Sequence, residues 1–450
     1  MKVVKFGGSS LADSQHFQKV IDIIKADKSR KVVVTSAPGK RFSGDIKVTD
    51  LLISYANAVI AGNDYENIVK SIFDRYQEIG EAYSVPADVL TSIHDKLVAL
   101  PNGKYANDDY LMDAFKAHGE RLNAELMAAC LTSQGITAKF VDPSTAGIIV
   151  TDDPGNASVE EKTYENLGRI SLGSDVLVFP GFFGFTEKGD IATFARGGSD
   201  ITGSILARGF HASLYENFTD VNSIYAANPN IVDDPMPIKK MTYREMRELS
   251  YAGFSVFNDE AIIPAIQGQV PINVKNTNNP TAEGTLIVPE ENFEIKSPVT
   301  GITASNRFAA LYLHRYLLNK QVGFTLKILQ ILAKYGVSYE HMPSGIDDLT
   351  IIFDKNQLDD KTIKAMCRDI QAAVQPDNLE WIDDYAIIMV VGEGMRARIG
   401  TIENIIRPLA DHDIAVHMIN QGASRISIML GTQESDANEA IKQIYNHFFN

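Results

Sequence analysis

The chain opens with MKVVKFGGSS (residues 1–10), and this stretch decides the fold. Its apolar, β-branched run predicts a buried strand that the pair Gly7-Gly8 ends. A helical pattern follows, and then a second apolar strand is predicted at residues 31–35, before Pro38-Gly39. Strands that are apolar throughout and alternate with helices predict a mostly parallel sheet covered by helices on both faces.

The same alternation of strands and helices continues through the first two thirds of the chain. Later strands are predicted at residues 175–179, 213–217 and 270–274, and a helix at residues 119–134. Around residues 280–297 the composition turns to Asn, Pro, Thr and Glu, which is typical of a linker. We therefore predict an α/β domain at 1–295 and a second region at 296–450.

The second region contains an internal repeat. Residues 323–353 overlay residues 400–430 without a gap, and Gly345 falls on Gly422. Apolar positions of one helix and two strands match in the same register, which chance alignment does not readily give. Each copy reads as helix, link, strand, glycine turn and strand. The region therefore predicts two small α+β modules that pair, the second at about 383–450.

Composition excludes several classes of protein. The 450 residues are 45% hydrophobic, so the chain has ample material for a core. With 42 Lys and Arg against 57 Asp and Glu, the net charge is −15, which disfavours nucleic-acid and anionic-membrane partners. Two cysteines, Cys130 and Cys367, cannot form a disulfide framework or a four-cysteine zinc site. We find no targeting segment and no apolar run of the ~20 residues that span a membrane, and expect a cytoplasmic protein.

Two glycine turns favour anion binding. In Lys5-Phe6-Gly7-Gly8-Ser9-Ser10 a strand ends, backbone amides become accessible, and the serines are expected to cap the next helix. The stretch RGGSD (196–200) repeats the pattern, with an arginine suited to a carboxylate and a Ser/Asp cap. The alternative for both is an ordinary capped helix beside a solvated cation.

Two further motifs carry carboxylates. His118-Gly119-Glu120 is predicted at the start of a helix, where Glu120 can bind an ammonium group or simply favour the helix dipole. The stretch FTDV (218–221), with Tyr225, follows a strand, where open α/β sheets bind ligands, although an Asx turn explains it equally. The stretch GEGMRA (392–397) fits a dinucleotide fingerprint, but no acidic residue ends the next strand, so we expect no nicotinamide site.

Taken together, the chain resembles the aspartate kinases of the amino-acid kinase superfamily. KFGGSS, HGE, PGFFGF (180–185), RGGSD and FTDV occur in the family's order, and the repeat is similar to tandem ACT domains, which bind amino-acid effectors. The resemblance implies transfer of phosphate from ATP, with Mg²⁺, to L-aspartate, giving 4-phospho-L-aspartate and ADP. This reaction is the first step toward lysine, threonine and methionine.

The resemblance also implies roles for individual residues. Lys5 and Asp200 are the implied catalytic pair, Glu120 would hold the ammonium of aspartate, and Arg196 its α-carboxylate. The implied nucleotide-binding residues are Gly7, Gly8, Ser9, Thr219, Asp220 and Tyr225. The implied substrate-binding residues are Ser36, Thr49, Glu120, Phe183, Arg196, Gly198 and Ser199. The implied effector-binding residues are Gly323, Phe324, Thr325, Ser338 and Glu340. No protein metal ligand is assigned.

The sequence departs from the family on the nucleotide side. Asn230 stands where many relatives have an arginine, and Ser255 where many have a lysine; Lys239 or Lys240 is the candidate substitute. A non-catalytic amino-acid sensor is therefore the alternative function, and a glutamate or acetylglutamate kinase is the alternative within the superfamily. For regulation, the resemblance implies a homodimer paired through the ACT modules, with a tetramer as the alternative. Lysine is the first choice of effector and threonine the second.

Overall fold

The computed structural model describes residues 1–195, 197–254, 260–291 and 293–450. The chain forms two compact units, the first of which holds Met1–Ile224, Pro237–Met246 and Ser255–Phe293, and the second the remainder. Two short segments that the sequence prediction placed in the first domain, Tyr225–Met236 and Arg247–Phe254, therefore belong to the second unit. Backbone pairing explains this for the first of them, because the Ile302 amide donates to the Ala226 carbonyl at 2.7 Å.

The first unit is built on a largely parallel sheet, as predicted. The strands of this unit are β1 (Lys2–Phe6), β2 (Arg30–Thr35), β3 (Ala138–Phe140), β4 (Val176–Pro180), β5 (Phe183–Phe185), β6 (Ile191–Thr193), β7 (Leu214–Thr219), β8 (Lys240–Thr242), β9 (Ile272–Asn276) and β10 (Thr285–Val288). The order in the sheet is β3-β4-β2-β1-β7-β9-β10-β8, and β9 and β10 are antiparallel neighbours. β5 and β6 form a separate antiparallel ribbon.

Helices cover this sheet and bury its central strands. Val3, Val4 and Phe6 of β1 are fully buried, because a strand in the middle of a covered sheet has no face toward water. The helices are α1 (Ser14–Ala26), α2 (Val48–Ala61), α3 (Glu66–Ala82), α4 (Ala87–Ala99), α5 (Asp108–Ser133), α6 (Pro143–Ala146), α7 (Lys162–Gly168), α8 (Gly198–Gly209), α9 (Tyr243–Tyr251, which continues into the second unit) and α10 (Ile263–Gln267).

Three predicted helix starts were wrong. α5 begins at Asp108 and not at residue 119, because the Asn107 side chain caps it by accepting from the amides of Asp109 and Tyr110. Gly197, with φ of 85°, precedes α8 in place of the predicted Ser/Asp cap. The serines of the first turn lie in a 3-10 helix (Gly8–Leu11), and Asp13 caps α1.

The second unit is built on an antiparallel sheet. Its strands and helices are β11 (Gly301–His314), α11 (Phe324–Lys334), β12 (Asp348–Asp354), α12 (Asp360–Val374), β13 (Asn378–Val391), α13 (Thr401–Ala410), β14 (Met418–Asn420), β15 (Ser427–Thr432) and α14 (Ala437–Phe449). The order of strands in the sheet is β12-β11-β13-β15-β14. The repeat is visible here, because α11 and α13 each follow a glycine with left-handed backbone, at φ of 78° for Gly323 and 85° for Gly400. Among the described helices, none has the length and apolar character that crossing a membrane requires.

Candidate active site

Two glycine turns pack backbone against backbone at the carboxyl ends of β1 and β2. The Gly39 amide donates to the Gly8 carbonyl at 2.9 Å. A Cβ atom on Gly39 would lie 2.6 Å from the carbonyl carbon and oxygen of Gly8, so a side chain does not fit there. The Gly7 amide donates to the Phe218 carbonyl at 3.3 Å, which joins the first turn to the end of β7.

A buried ion pair lies beneath the first glycine turn. The Lys5 ammonium lies 2.6 Å from Oδ1 of Asp200, in the first turn of α8. Asn217, the neighbour of Lys5 on β7, donates from Nδ2 to the same carboxylate oxygen at 2.8 Å. Lys5 is 8% exposed, and a Cβ atom on Gly7 would lie 3.6 Å from its Nζ. The glycine therefore leaves the remaining exposed part of the ammonium uncovered.

Glu120 places a carboxylate inside the unit without a partner for one of its oxygens. The side chain is 5% exposed, and Oε2 has no hydrogen-bond partner among the described residues. Burial raises the pKa of Glu120 to about 8, an effect that hydrogen bonds from the amides of Ala37 and of Glu120 itself partly offset. A buried, unpaired carboxylate fits a cationic ligand, because a ligand ammonium would supply the missing charge.

The other two residues of the HGE motif have structural explanations. A Cβ atom on Gly119 would lie 2.9 Å from Cβ of Ala37, so the glycine lets α5 approach the turn after β2 closely. Nδ1 of His118 lies 2.7 Å from the Ala114 carbonyl, and burial lowers the pKa of His118 to about 4. The imidazole is therefore neutral near pH 7, and its Nδ1 atom is engaged by a carbonyl group of its own helix.

The remaining implied substrate residues surround two turns. Ser36 follows β2, and its carbonyl accepts from Asn123 of α5 at 2.7 Å. Thr49 is the second residue of α2 and is half-buried. Phe183 is fully buried on β5, where it pairs with Thr193 of β6. Gly198 and Ser199 begin α8, and a Cβ atom on Gly181 would lie 2.6 Å from Oγ of Ser199, so α8 packs tightly on the PGFFGF turn.

The nucleotide-side residues Thr219 and Asp220 lie at the carboxyl end of β7. The Thr219 hydroxyl donates to Oδ1 of Asp220 at 3.1 Å, and its carbonyl accepts from the Thr277 amide at 2.9 Å. Asn276 donates from Nδ2 to the Asp220 carbonyl at 3.2 Å. The hydroxyls of Thr277 and Ser10 lie 2.6 Å apart, which joins this edge to the first glycine turn.

Comparison with known proteins identifies the family. The model of the amino acid kinase family matches residues 1–276, and an ACT domain model matches residues 388–448. Aspartokinase 3 of Bacillus subtilis is 45% identical over 449 residues, covering 100% of this chain and 99% of the relative. The chain belongs to the aspartate kinases. Its sequence resemblance to that family, its α/β fold and its assignment as a phosphotransferase are thereby confirmed.

Solved aspartate kinases share the fold over the full length. The Clostridium acetobutylicum aspartate kinase is 39% identical with a TM-score of 0.87, and the match covers 100% of both chains. Escherichia coli aspartokinase III, solved with aspartate and ADP and with lysine and aspartate, gives TM-scores of 0.77 and 0.79 with 100% coverage of both chains. At 23% identity those two likenesses show the fold alone.

Some residues that the aspartate kinase resemblance singled out are not placed in this site by the structure. Arg196 and Ser255 lie outside the described residues. Tyr225 and Asn230 belong to the second unit. In the first unit Lys239 is strongly exposed and lies 3.8 Å from Glu283. The roles implied for these residues stay predictions.

The implied effector residues of this aspartate kinase lie in the second unit. Gly323 precedes α11, Phe324 is its first, buried residue, and Thr325 is half-buried. The amide and hydroxyl of Ser338 donate to Oε1 of Gln357 at 3.0 and 3.1 Å. Glu340 is engaged as well, because the Tyr251 hydroxyl donates to its Oε2 at 2.5 Å.

Asn217 was not predicted as a site residue, although the sequence contains a pattern that could have indicated it. Glu216 and Asn217 are buried polar residues that stand between the buried aromatic residues Tyr215 and Phe218 in one strand. Buried polar side chains require partners, so such residues mark either an ion pair or a site. Glu216 pairs with Arg30 at 2.7 Å, and Asn217 holds Asp200.

Proposed function

We propose that this site transfers the γ-phosphoryl group of ATP to the side-chain carboxylate of L-aspartate. The observation that carries the proposal is the Lys5–Asp200 ion pair under a glycine turn, in the same unit as the buried side chain of Glu120, whose Oε2 has no partner among the described residues. The first provides fixed positive charge for phosphate, and the second a receptor for an ammonium. Escherichia coli aspartokinase III was solved with aspartate and ADP, the acceptor and the nucleotide product of this reaction, which supports aspartate and ATP as the substrates here.

Aspartate carries three charged groups, an ammonium and two carboxylates, and the proposal assigns a place to each of them. Glu120 accepts the ammonium, and Arg196 pairs with the α-carboxylate, leaving the side-chain carboxylate to face the nucleotide. Backbone groups of Phe183 and Gly198 and the hydroxyls of Ser36, Thr49 and Ser199 line the rest of the substrate region. A carboxylate is already ionised near pH 7, so the acceptor needs no general base.

Phosphoryl transfer is limited by charge. The acceptor carboxylate and the triphosphate are both anions, and negative charge grows on the bridging oxygen as the bond to the leaving group breaks. Lys5 neutralises that charge, and the amides of Gly8 and Ser9 orient the phosphates. Asp200 and Asn217 keep the lysine aligned. Thr219 and Asp220 form the nucleotide side, and the role implied for Tyr225 stays a prediction.

The residues also fit Mg²⁺, which the family reaction uses. Both contacts described for the Asp200 carboxylate go to Oδ1, and Asp220 is exposed, so carboxylate oxygens remain of the kind that Mg²⁺ prefers. When bound, Mg²⁺ neutralises part of the β- and γ-phosphate charge. Asp200 and Asp220 are the residues that would hold it together with the phosphates.

The proposal also assigns catalysis and regulation to different regions of the chain. Residues 1–295 form the catalytic domain and residues 296–450 the regulatory ACT region, with the second module at about 383–450. An amino acid binds at Gly323–Thr325, Ser338 and Glu340, with lysine as first choice and threonine as second.

The proposal includes a homodimer paired through the ACT modules. Val322 and Ile399 of the second unit are fully exposed apolar side chains, which supports such a pairing. We also propose that the enzyme is cytoplasmic.

The test is formation of the acyl-hydroxamate by the purified chain with ATP, Mg²⁺ and L-aspartate, and with glutamate and acetylglutamate as alternative acceptors. Product with aspartate alone is expected. A folded protein that gives no product with aspartate contradicts the proposal and favours the amino-acid sensor. Product with acetylglutamate, which has no ammonium group, contradicts the assignment of Glu120, and product with glutamate contradicts aspartate as the specific acceptor.

A further inference from the structure

A second carboxylate of α5, that of Asp113, is buried and saturated with donors. Asp113 is 2% exposed, and its carboxylate contacts donors from three segments of the chain. Its Oδ2 accepts from the amides of Gly155 and Thr193, each at 2.7 Å, and its Oδ1 lies 2.6 Å from the Lys116 ammonium. Such a set of donors holds the Asp113 side chain to both backbone segments and to the side chain of Lys116.

Asp113 lies on the same face of α5 as the proposed ammonium receptor. Residues 113, 116, 120 and 123 follow the i, i+3, i+7, i+10 spacing of one helical face. Two of them, Glu120 and Asn123, contact the turn after β2. The other two, Asp113 and Lys116, contact Thr193 at the end of β6, and Asp113 also contacts Gly155 in the loop between α6 and α7.

The bond to Thr193 fixes a strand that leads directly into the RGGSD motif. Thr193 is the last residue of β6 and pairs with Phe183 of β5. The Phe194 amide then donates to the Phe182 carbonyl at 2.8 Å, and Arg196 follows three residues after Thr193. Lys116 reaches the same place, with its Nζ 3.5 Å from Oγ1 of Thr193 and 6.0 Å from the Phe182 ring centroid.

We propose that Asp113 is a positioning residue for aspartate: with Lys116 it ties the β5–β6 ribbon, whose last strand leads into the RGGSD motif, to the helix that carries Glu120. Thr193 at the end of β6 is then held to the same helix as the proposed ammonium receptor. This rests on the proposed function, because it assigns the ammonium receptor as that section does. Asp113 itself touches no substrate.

The test is the Asp113→Asn variant. The amide keeps one acceptor oxygen and turns its N–H groups toward either Lys116 or the two backbone amides, so the link between α5 and the ribbon is weakened. We expect the KM for aspartate to rise about tenfold or more, with the KM for ATP within about twofold and a smaller loss of kcat, since a misplaced receptor weakens binding of one substrate. Glu125→Gln is the matched control, because it removes another ion pair of α5, with Lys96 at 2.6 Å, and both KM values should stay unchanged.

Several outcomes separate this inference from the proposed function. Equal rises in both KM values, or a fall in kcat at constant aspartate KM, would overturn the positioning role. If the Asn variant does not fold, Lys116→Met decides, since it keeps both amide bonds and should still raise the aspartate KM about threefold; an unchanged value overturns the inference. If the unmodified chain gives no hydroxamate, the proposed function fails. Calorimetric aspartate binding by the unmodified chain and the variant then tests the positioning role alone: weaker binding by the variant supports it, and equal binding or none by either protein overturns it.

Discussion

The Lys5 ammonium lies 2.6 Å from Oδ1 of Asp200, although 194 residues separate them in the chain. Asn217, beside Lys5 in the sheet, donates to the same oxygen at 2.8 Å. A lysine held from one side by a carboxylate keeps its direction, and its other N–H groups remain for a ligand. The pair is thus a fixed cation at the end of a central strand.

Replacing Lys5 by Met should remove that cation at little cost in volume. We expect kcat to fall by about 10² or more, because charge that develops in the transition state loses its main neutralising group. Aspartate binding measured by calorimetry should change less than about twofold. Lys19→Met, which alters an exposed lysine of the same unit, is the control. An unchanged kcat in a folded Lys5→Met protein would remove Lys5 from the mechanism.

Aspartate binding should release a proton near pH 7. The pKa of Glu120 is raised to about 8 in the free protein, so the carboxyl is mostly protonated below that pH, and a bound ammonium must displace the proton. We expect release of close to one proton at pH 7 and an aspartate affinity that rises up to pH 8. Calorimetry in buffers of different ionisation enthalpy measures the release. Glu120→Gln should abolish both the release and the tight binding; release that persists in this variant would assign the proton elsewhere.

The same burial has a consequence for stability. Because the pKa of Glu120 is about 8 in the folded protein against an ordinary 4.5, the folded state holds a proton that the unfolded state loses between these values. Stability from this group therefore falls as the pH rises from about 4.5 to 8. Without aspartate, Glu120→Gln should melt at the same temperature as the unmodified chain at pH 5 and a few degrees higher at pH 8.5. A variant that melts lower at pH 8.5 would show that the carboxylate is paired.

The sequence was a good guide to the strands of the first unit and a poor one to α5. The strand predicted at 31–35 is Arg30–Thr35, because a buried parallel strand is apolar along its whole length. The helical pattern failed between Asp108 and residue 119, since the inward face of α5 carries Asp113 and Lys116 among its apolar residues. Helical periodicity detects apolar faces, and a face that builds a polar site is hidden from it.

The site was predictable as motifs and not as contacts. Each glycine turn is a local signal, because close backbone approach leaves room for nothing larger. The contacts of the site residues come from distant segments of the chain. Asp200 of α8 pairs with Lys5 of β1, and Glu340 accepts a hydrogen bond from Tyr251. No local pattern fixes such pairs, and only the resemblance to a family placed Lys5 and Asp200 together.

Gly39→Ala should impair the nucleotide side selectively. The new Cβ would lie 2.6 Å from the Gly8 carbonyl and 2.9 Å from the Ser9 nitrogen, and backbone cannot swing away as a side chain can. The Gly8-Ser9 turn must therefore move, and we expect the KM for ATP to rise about tenfold with a smaller change for aspartate. Gly168→Ala, at a glycine with open space around it, is the matched control. Equal effects of the two variants would contradict a role of the turn in phosphate binding.

The hydrogen bond from Tyr251 to Glu340 should compete with an effector. An amino-acid ammonium that binds Oε2 of Glu340 competes with the Tyr251 hydroxyl, which lies 2.5 Å from that oxygen and 3.2 Å from Nε2 of His341. Tyr251→Phe removes that competitor, and since a hydrogen bond to a charged group contributes about 1.5–3 kcal/mol, effector affinity should rise about tenfold. Lysine and threonine binding by calorimetry measures this. Tyr312→Phe, which removes a 2.7 Å hydrogen bond to Asp348 in the same unit, is the control. Weaker effector binding by Tyr251→Phe would mean that Tyr251 orients Glu340 for the effector instead of competing with it.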